Sequence, residues 1–230
     1  MAIQVQRFVE YLAESHRVAM LGGLAVIAHG LSRHTKDADI WLEPMESAAD
    51  WATTLEAACL EFRGTSLHRL PGWVRVAGEE LTHAVEETGM IRVCGLNQPL
   101  DVFRRPNEFG EADFDAMSAN ASLNADGTLL PHPADLIRSK MDTGRDQDRI
   151  DILHLESVIR ADYRERLPQA TPAEARAMLE QYSDWEVLTV ALEHPAEEIR
   201  ELARTHLREF AAEGDPFSQA ILAGRPIPGT

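Results

Sequence analysis

Near the N-terminus, the spacing of hydrophobic positions changes twice within a short stretch. Residues 18–21 form an unbroken apolar run, typical of a buried strand, and the run stops at a Gly-Gly pair. Apolar residues then recur with helical spacing from Leu24 to Ala28, and residues 37–42 have the character of a strand again. This order predicts a strand, a glycine turn, a helix and a second strand, and the rest of the chain can be arranged around this unit.

Segments on both sides of this unit extend it into a sheet with helices. Stripes of apolar residues predict helices at 4–15 and 47–62, and a short helix is predicted at 79–87. Short apolar or alternating runs between turn signals predict four more strands, at residues 65–70, 73–77, 90–94 and 100–103. Because only a turn-rich segment joins the last two, we expect a hairpin in the middle of the sheet.

The second half of the chain is mostly helical. An Asp-Gly turn within residues 121–130 predicts one more hairpin, and Pro131-His132-Pro133 introduces a helix that runs through Lys140. Later helices are predicted at 171–182, 184–193, 195–212 and 216–222. We therefore predict an α/β (α+β) fold: a mixed sheet with flanking helices in residues 1–130, a helical motif in 131–160 and a helical C-terminal region in 161–230.

The first unit also contains candidate chemistry. Gly22 and Gly23 open a helix, where free backbone N–H groups and the positive end of the helix dipole suit an anion such as phosphate. Alternation places Asp37 and Asp39 on one face of the following strand, and paired carboxylates suit Mg²⁺ or Mn²⁺. A phosphate site beside a metal site suggests a nucleoside triphosphate ligand.

These residues resemble a known family. Gly22-Gly23 followed by Asp37-Ala38-Asp39-Ile40 is similar to the signature of the DNA polymerase beta-type nucleotidyltransferases. Many members of that family have Gly-Ser where this chain has Gly-Gly. With Arg33 and Thr35 before the aspartates, the pattern more closely resembles the AbiEii-like branch, which includes type IV toxin nucleotidyltransferases. The segment from Lys140 through Arg145 to Asp151 resembles a second motif of that branch. The resemblance covers residues 18–155.

The resemblance implies a metal-dependent transfer of a nucleoside monophosphate from an NTP to an acceptor hydroxyl, with release of pyrophosphate. It implies that Asp37, Asp39 and Asp101 hold two Mg²⁺ or Mn²⁺ ions and form the catalytic set. Asp101 lies between Leu100 and Val102, where an unpaired charge is costly, so it needs a partner. The alternative is a strand-end aspartate paired with Arg104 or Arg105.

The remaining candidates are nucleotide contacts. They are Gly22, Gly23, Arg33, Lys36, Lys140, Arg145, Asp148 and Asp151. The glycine turn, with Arg33 or Lys36, is expected at the β- and γ-phosphates, and the last four residues lie about a hundred residues later in the chain. Helical spacing places Asp148 and Asp151 at the head of an apolar stripe, where carboxylates need cations. A structural ion-pair cluster that ties the helical segment to the sheet is the alternative for this second group.

The composition of the chain limits the kinds of molecule that the protein is expected to bind. A net charge of −16 argues against a protein that coats DNA or RNA non-specifically. No apolar run approaches a membrane span and the N-terminus lacks a signal-peptide pattern, so we expect a cytoplasmic protein. The acceptor could be tRNA, a protein or a small molecule, and a toxin-like enzyme could have an antitoxin or another regulator.

Two rival hypotheses are an inactive nucleotide-binding or interaction module of the same fold, and an unrelated α/β protein whose Asp pair is structural.

Overall fold

The computed structural model describes residues 4–141 and 143–227. The chain divides into two compact units, Met1–Leu155 and Glu156–Thr230. In the described part of the first unit, eight strands form one mixed sheet with helices packed against it, and the described part of the second unit is helical. The predicted α+β class, with a helical C-terminal region, is confirmed.

The sheet of the first unit has its longest strands near its centre. Its strands are β1 (Val18–Met20), β2 (Ala38–Leu42), β3 (Ser66–Arg69), β4 (Val74–Arg75), β5 (Met90–Cys94), β6 (Leu100–Phe103), β7 (Ser122–Leu123) and β8 (Leu129–Leu130). Their spatial order is β4-β3-β5-β6-β2-β1-β8-β7. The predicted central hairpin is therefore confirmed as β5 and β6.

Helices cover the sheet and make up the second unit. The helices of the first unit are α1 (Val5–Ala13), α2 (Gly22–Ala28), α3 (Ala48–Glu61), α4 (Gly78–Thr88), α5 (Asp113–Asn120) and α6 (Pro133–Lys140). The long helix α7 (Asp146–Arg166) begins in the first unit and ends in the second. The second unit continues with α8 (Pro172–Gln181), α9 (Trp185–Ala191), α10 (Glu197–Ala212) and α11 (Pro216–Leu222).

Strand β2 separates two hydrophobic clusters because its side chains alternate between the two faces of the sheet. Ile40 and Leu42 belong to the cluster that includes Trp51 of α3, whereas Trp41 belongs to the cluster on the other face. Since Asp39 lies two residues before Trp41, its side chain shares the face of the Trp41 cluster. The sheet therefore fixes which face carries the candidate carboxylates.

Register brings three polar residues into one row across the central strands. Strands β2 and β6 are parallel and pair Asp39 with Asp101, while β5 and β6 are antiparallel and pair Arg92 with Asp101. Directly opposed side chains in neighbouring strands are close enough to interact. The row Asp39, Asp101 and Arg92 is thus a consequence of strand pairing.

The second unit is organised around α10, against which α8, α9 and α11 pack. Several of its helices have the N-terminal signals seen in the sequence. Thr171 and Glu174 form a capping box at α8, and the side chain of Asp184 accepts a hydrogen bond from the backbone N–H of Val187 in α9.

A few details differ from the expectations. Helix α5 was not predicted, because its two buried residues, Phe114 and Met117, are too few to establish a helical period. Cys59 and Cys94 are free thiols. Among the described residues, no helix is long and apolar enough to cross a membrane.

Candidate active site

Three carboxylates lie near one another at the central strands. Asp37 directly precedes β2, Asp39 lies in β2, and Asp101 lies in the neighbouring strand β6. Burial of Asp39, reinforced by the negative charges of Asp37 and Asp101, raises its pKa to about 6. A nearby cation would stabilise the ionised carboxylate of Asp39, so positive charge is favoured at this site.

Arg92 supplies part of that charge from β5. Its Nε lies 2.6 Å from Oδ1 of Asp101, and its Nη2 lies 2.6 Å from Oδ2 of the same carboxylate. Nη2 is also 3.7 Å from an oxygen of Asp37. The guanidinium carbon lies 3.7 Å from the centre of the Trp73 ring, so the side chain is held from two sides.

This pairing corrects the alternative that the sequence offered for Asp101. The carboxylate does have an arginine partner, but it is Arg92 of the facing strand and not Arg104 or Arg105. Arg104 instead donates to the carbonyl of Pro44 and pairs with Glu111. Alternation around Ile91 and Val93 could have placed Arg92 on the carboxylate face, but its pairing with Asp101 depends on hairpin register.

The glycine pair allows side chains to approach the start of α2 closely. Gly22 has φ +53°, and a Cβ added there would lie 1.9 Å from Oδ2 of Asp39. A Cβ on Gly23 would lie 2.7 Å from Nη2 of Arg33 and 2.9 Å from Oγ1 of Thr35. A side chain at either position would therefore force these groups to shift, and the backbone conformation of Gly22 favours glycine as well.

A network of buried charges surrounds the last residue of α6. Lys140 Nζ lies 3.0 Å from Oδ1 of Asp148 and 2.8 Å from Oδ2 of Asp151, on α7. Arg33 Nη2 lies 2.9 Å from the same oxygen of Asp151, and Arg145 Nε lies 2.7 Å from Oδ2 of Asp148. Each buried acid is thus met by two cations, which agrees with the ion-pair cluster that the sequence offered as an alternative role.

The neighbouring groups in this network shift the pKa values of its carboxylates. Burial acts to raise the pKa of Asp148, but hydrogen bonds from Thr143 and Lys140, together with the positive charges of Lys140 and Arg145, hold the pKa below its ordinary value. The positive charges of Lys140 and Arg145 also extend to Asp39, whose pKa they act to lower. Cations of the second sequence motif therefore act on the charge of Asp39, which belongs to the first motif.

A polar cavity of about 520 Å³ connects these groups. Of the residues proposed from the sequence, those that line it are Gly22, Gly23, Arg33, Asp37, Asp39, Asp101, Lys140, Arg145 and Asp148. Lys36 and Asp151 do not line it: Lys36 is exposed and Asp151 is completely buried behind the cavity wall. A larger cavity, of about 670 Å³, lies elsewhere in the first unit and contains neither the glycine pair nor the three carboxylates.

No protein-family model matches the chain, and no curated protein matches it. Among solved structures, the chain is similar to a crystal structure of a "putative nucleotidyltransferase from H. pylori". The sequence identity is 16%, the TM-score is 0.35, and the alignment covers 88% of this chain and 92% of that one. A TM-score this low does not establish a shared family.

The carboxylates fit a divalent cation only in part. Asp37 and Asp39 offer oxygen ligands, and burial together with the neighbouring carboxylates raises the pKa of Asp39. Both oxygens of Asp101 are instead engaged by Arg92. Among the residues that the structure describes, no group of three His, Cys, Asp or Glu side chains is arranged to hold a metal ion. A metal is therefore compatible with Asp37 and Asp39 as they stand, and not with Asp101.

Several cavity residues were missed by the sequence reasoning. Besides Arg92, the wall includes Leu70, Met90, Phe103, Pro106 and Asn107. These residues come from β6, from the start of β5 and from loops whose positions depend on the fold of the whole sheet. No local pattern in the sequence distinguishes them from other strand and loop residues.

Proposed function

We propose that this protein is a metal-dependent nucleotidyltransferase that moves a nucleoside monophosphate from an NTP to an acceptor hydroxyl and releases pyrophosphate. The observation that carries the proposal is one cavity that contains both the Asp37 and Asp39 carboxylates and several cations. Anionic phosphates and a divalent ion are the ligands that this combination of charges accommodates.

The roles of the residues follow from their accessibility. Asp37 and Asp39 would hold the divalent ion, which neutralises phosphate charge and promotes ionisation of the attacking hydroxyl when bound. Arg145, with a side chain 73% exposed, is the cation most accessible to a triphosphate. Lys140, whose side chain is only 7% exposed, acts through its charge and by holding Asp148 and Asp151 in place.

The glycine pair has a steric role in this proposal. Without side chains at Gly22 and Gly23, the carboxylate of Asp39 and the guanidinium of Arg33 both approach the start of α2 closely. The resemblance to AbiEii-like proteins supports a toxin-like transferase with an antitoxin or another regulator. The acceptor class, which could be tRNA, a protein or a small molecule, is left to the experiment.

A second candidate function is nucleotide binding without turnover. The observation that favours it is the bidentate contact between Arg92 and Asp101, which engages a carboxylate that a two-ion reaction would need. In this case the cavity would bind an NTP and would not transfer the nucleotide.

Transfer of label from each of the four α-labelled NTPs separates the two functions. The protein is incubated with Mg²⁺ and a cell extract, which is then fractionated into RNA, protein and small molecules. We expect label in one fraction with the wild type and with Asp115→Asn, a surface change, and none with Asp39→Asn. Labelling that is equal with Asp39→Asn, or that does not need Mg²⁺, contradicts the proposal. NTP binding without any labelling favours the binding module.

A further inference from the structure

Arg92 is held more tightly than a residue that only neutralises a surface charge. It makes two hydrogen bonds of 2.6 Å to the Asp101 carboxylate, one to each oxygen. Paired hydrogen bonds of this kind fix the plane of the guanidinium as well as its position. The stacked ring of Trp73 closes its other side.

Residues of the sheet also hold the side chain of Arg92 in place. Trp73 lies in the turn between β3 and β4, and its carbonyl lies 2.7 Å from Nδ1 of His68. The residues on either side of Arg92 in β5, Ile91 and Val93, are buried in the hydrophobic core. The guanidinium thus cannot leave Asp101 without losing a stacking contact and leaving a buried carboxylate unpaired, which is costly.

The charges in the cavity divide into two groups. Asp101 is paired with Arg92 through both of its carboxylate oxygens. Asp39 is half-buried and has no such contact with the described residues, and its neighbour Asp37 is 3.7 Å from Arg92 at its nearest oxygen, beyond hydrogen-bond distance. A free divalent cation is therefore attracted to Asp37 and Asp39 and has little to gain at Asp101.

From these contacts we infer that Arg92 takes the place of one of the two divalent ions, so that the wild-type chain binds a single ion at Asp37 and Asp39. This inference rests on the proposed metal-dependent function and changes it: the third carboxylate serves to position Arg92 and does not bind a metal. It also departs from the two ions that the resemblance implies.

Counting bound Mn²⁺ tests the inference without any measurement of activity. Mn²⁺ alone is titrated into the full chain, and free Mn²⁺ is followed by electron paramagnetic resonance. We expect one ion per chain for the wild type and two for Arg92→Met, with the second ion bound about tenfold or more tightly than any second ion in the wild type. Arg145→Met, which removes another cation from the same cavity, should still bind one.

A double variant keeps the test valid if Arg92→Met alone does not fold. Arg92→Met with Asp101→Asn removes the pair as a neutral unit and leaves no buried charge behind. We expect it to bind one ion with an affinity within about threefold of the wild type, because neither residue is a metal ligand in the inferred site. A loss of Mn²⁺ binding in the double variant would show that Asp101 is a ligand and would overturn the inference.

Other outcomes separate this inference from the proposed function. Two ions in the wild type, or one in a folded Arg92→Met variant, overturn the role of Arg92 and leave nucleotidyl transfer standing. If none of the proteins binds Mn²⁺, both the inference and the proposed metal-dependent transfer fail. Label transfer by a wild type that binds one ion supports both.

Discussion

Asp39→Asn should reduce the pH dependence of stability in the metal-free protein. Burial of Asp39, together with the charges of Asp37 and Asp101, raises its pKa from 3.8 to about 6. A carboxyl group with a higher pKa in the folded state binds its proton more tightly there than in the unfolded chain. Its contribution to stability is therefore fully present below the unfolded pKa, and it is lost as the pH rises through about 6.

The size of this effect follows from the shift. About two pKa units correspond to about 3 kcal/mol between the fully protonated and fully ionised limits. Between pH 7.5 and pH 5, linkage gives a gain of about 1.4 kcal/mol in the free energy of unfolding. Asn cannot take up the proton, so the variant lacks this gain, and titrating groups far from Asp39 contribute equally to the two proteins.

Urea unfolding with EDTA present, followed by tryptophan fluorescence, measures the difference. Trp41 and Trp51 are both buried in the first unit, so they report on the sheet that carries Asp39. Asp115→Asn is the control, because the side chain of Asp115 is 78% exposed. The reasoning is refuted if the wild type and Asp39→Asn gain the same free energy between the two pH values.

Three further changes probe other parts of the chain. Gly22→Ala introduces a Cβ that would lie 1.9 Å from Oδ2 of Asp39 at a residue with φ +53°, and it should lower stability by about 1–3 kcal/mol in urea unfolding and weaken Mn²⁺ binding. Lys140→Met leaves two buried carboxylates short of a cation and should cost about 3–5 kcal/mol, measured in the same way. Thr171→Ala removes the capping box of α8 and should cost about 1 kcal/mol in thermal unfolding of the second unit.

Each of these changes has a matched control in the chain. Gly78, like Gly22, is the first residue of a helix, and it has φ +56° with no atom within 4 Å of an added Cβ, so Gly78→Ala measures backbone strain alone. An equal cost at Gly22 and Gly78 would show that the approach of Asp39 is not the cause. Lys36→Met removes an exposed lysine and should be nearly neutral. Thr205→Ala removes a hydroxyl that bonds within α10 and should cost less than the change at Thr171; if it costs as much, the cap of α8 is not the reason.

Much of the sheet was predictable because its signals are local. The β5–β6 hairpin combines short strands with a turn-rich connection, and the structure has it at residues 90–94 and 100–103, as predicted. The meeting of Asp37, Asp39 and Asp101 in one cavity was also expected, although only from the resemblance. Its physical cause is the parallel register of β2 and β6, which no local pattern reveals.

The remaining site details depend on contacts between distant residues. The contact of Arg92 with Trp73 requires both the β3–β5 pairing and the turn that carries Trp73. Lys36 was a candidate phosphate contact because it is one of only two lysines in the chain and lies inside the first motif. The chain bends at residues 36 and 37, however, and leaves Lys36 exposed, whereas Thr35, Asp37 and Asp39 line the cavity.

The parallel pairing of β2 with β6 also has a consequence for folding. Asp39 and Asp101 are opposed in register although about sixty residues separate them along the chain, and contacts between residues so far apart form slowly because a long loop must close first. A chain still being synthesised, with Gly22 and Asp39 already made, has only half of the cavity wall. The complete site can therefore form only late in folding, when the central strands have joined.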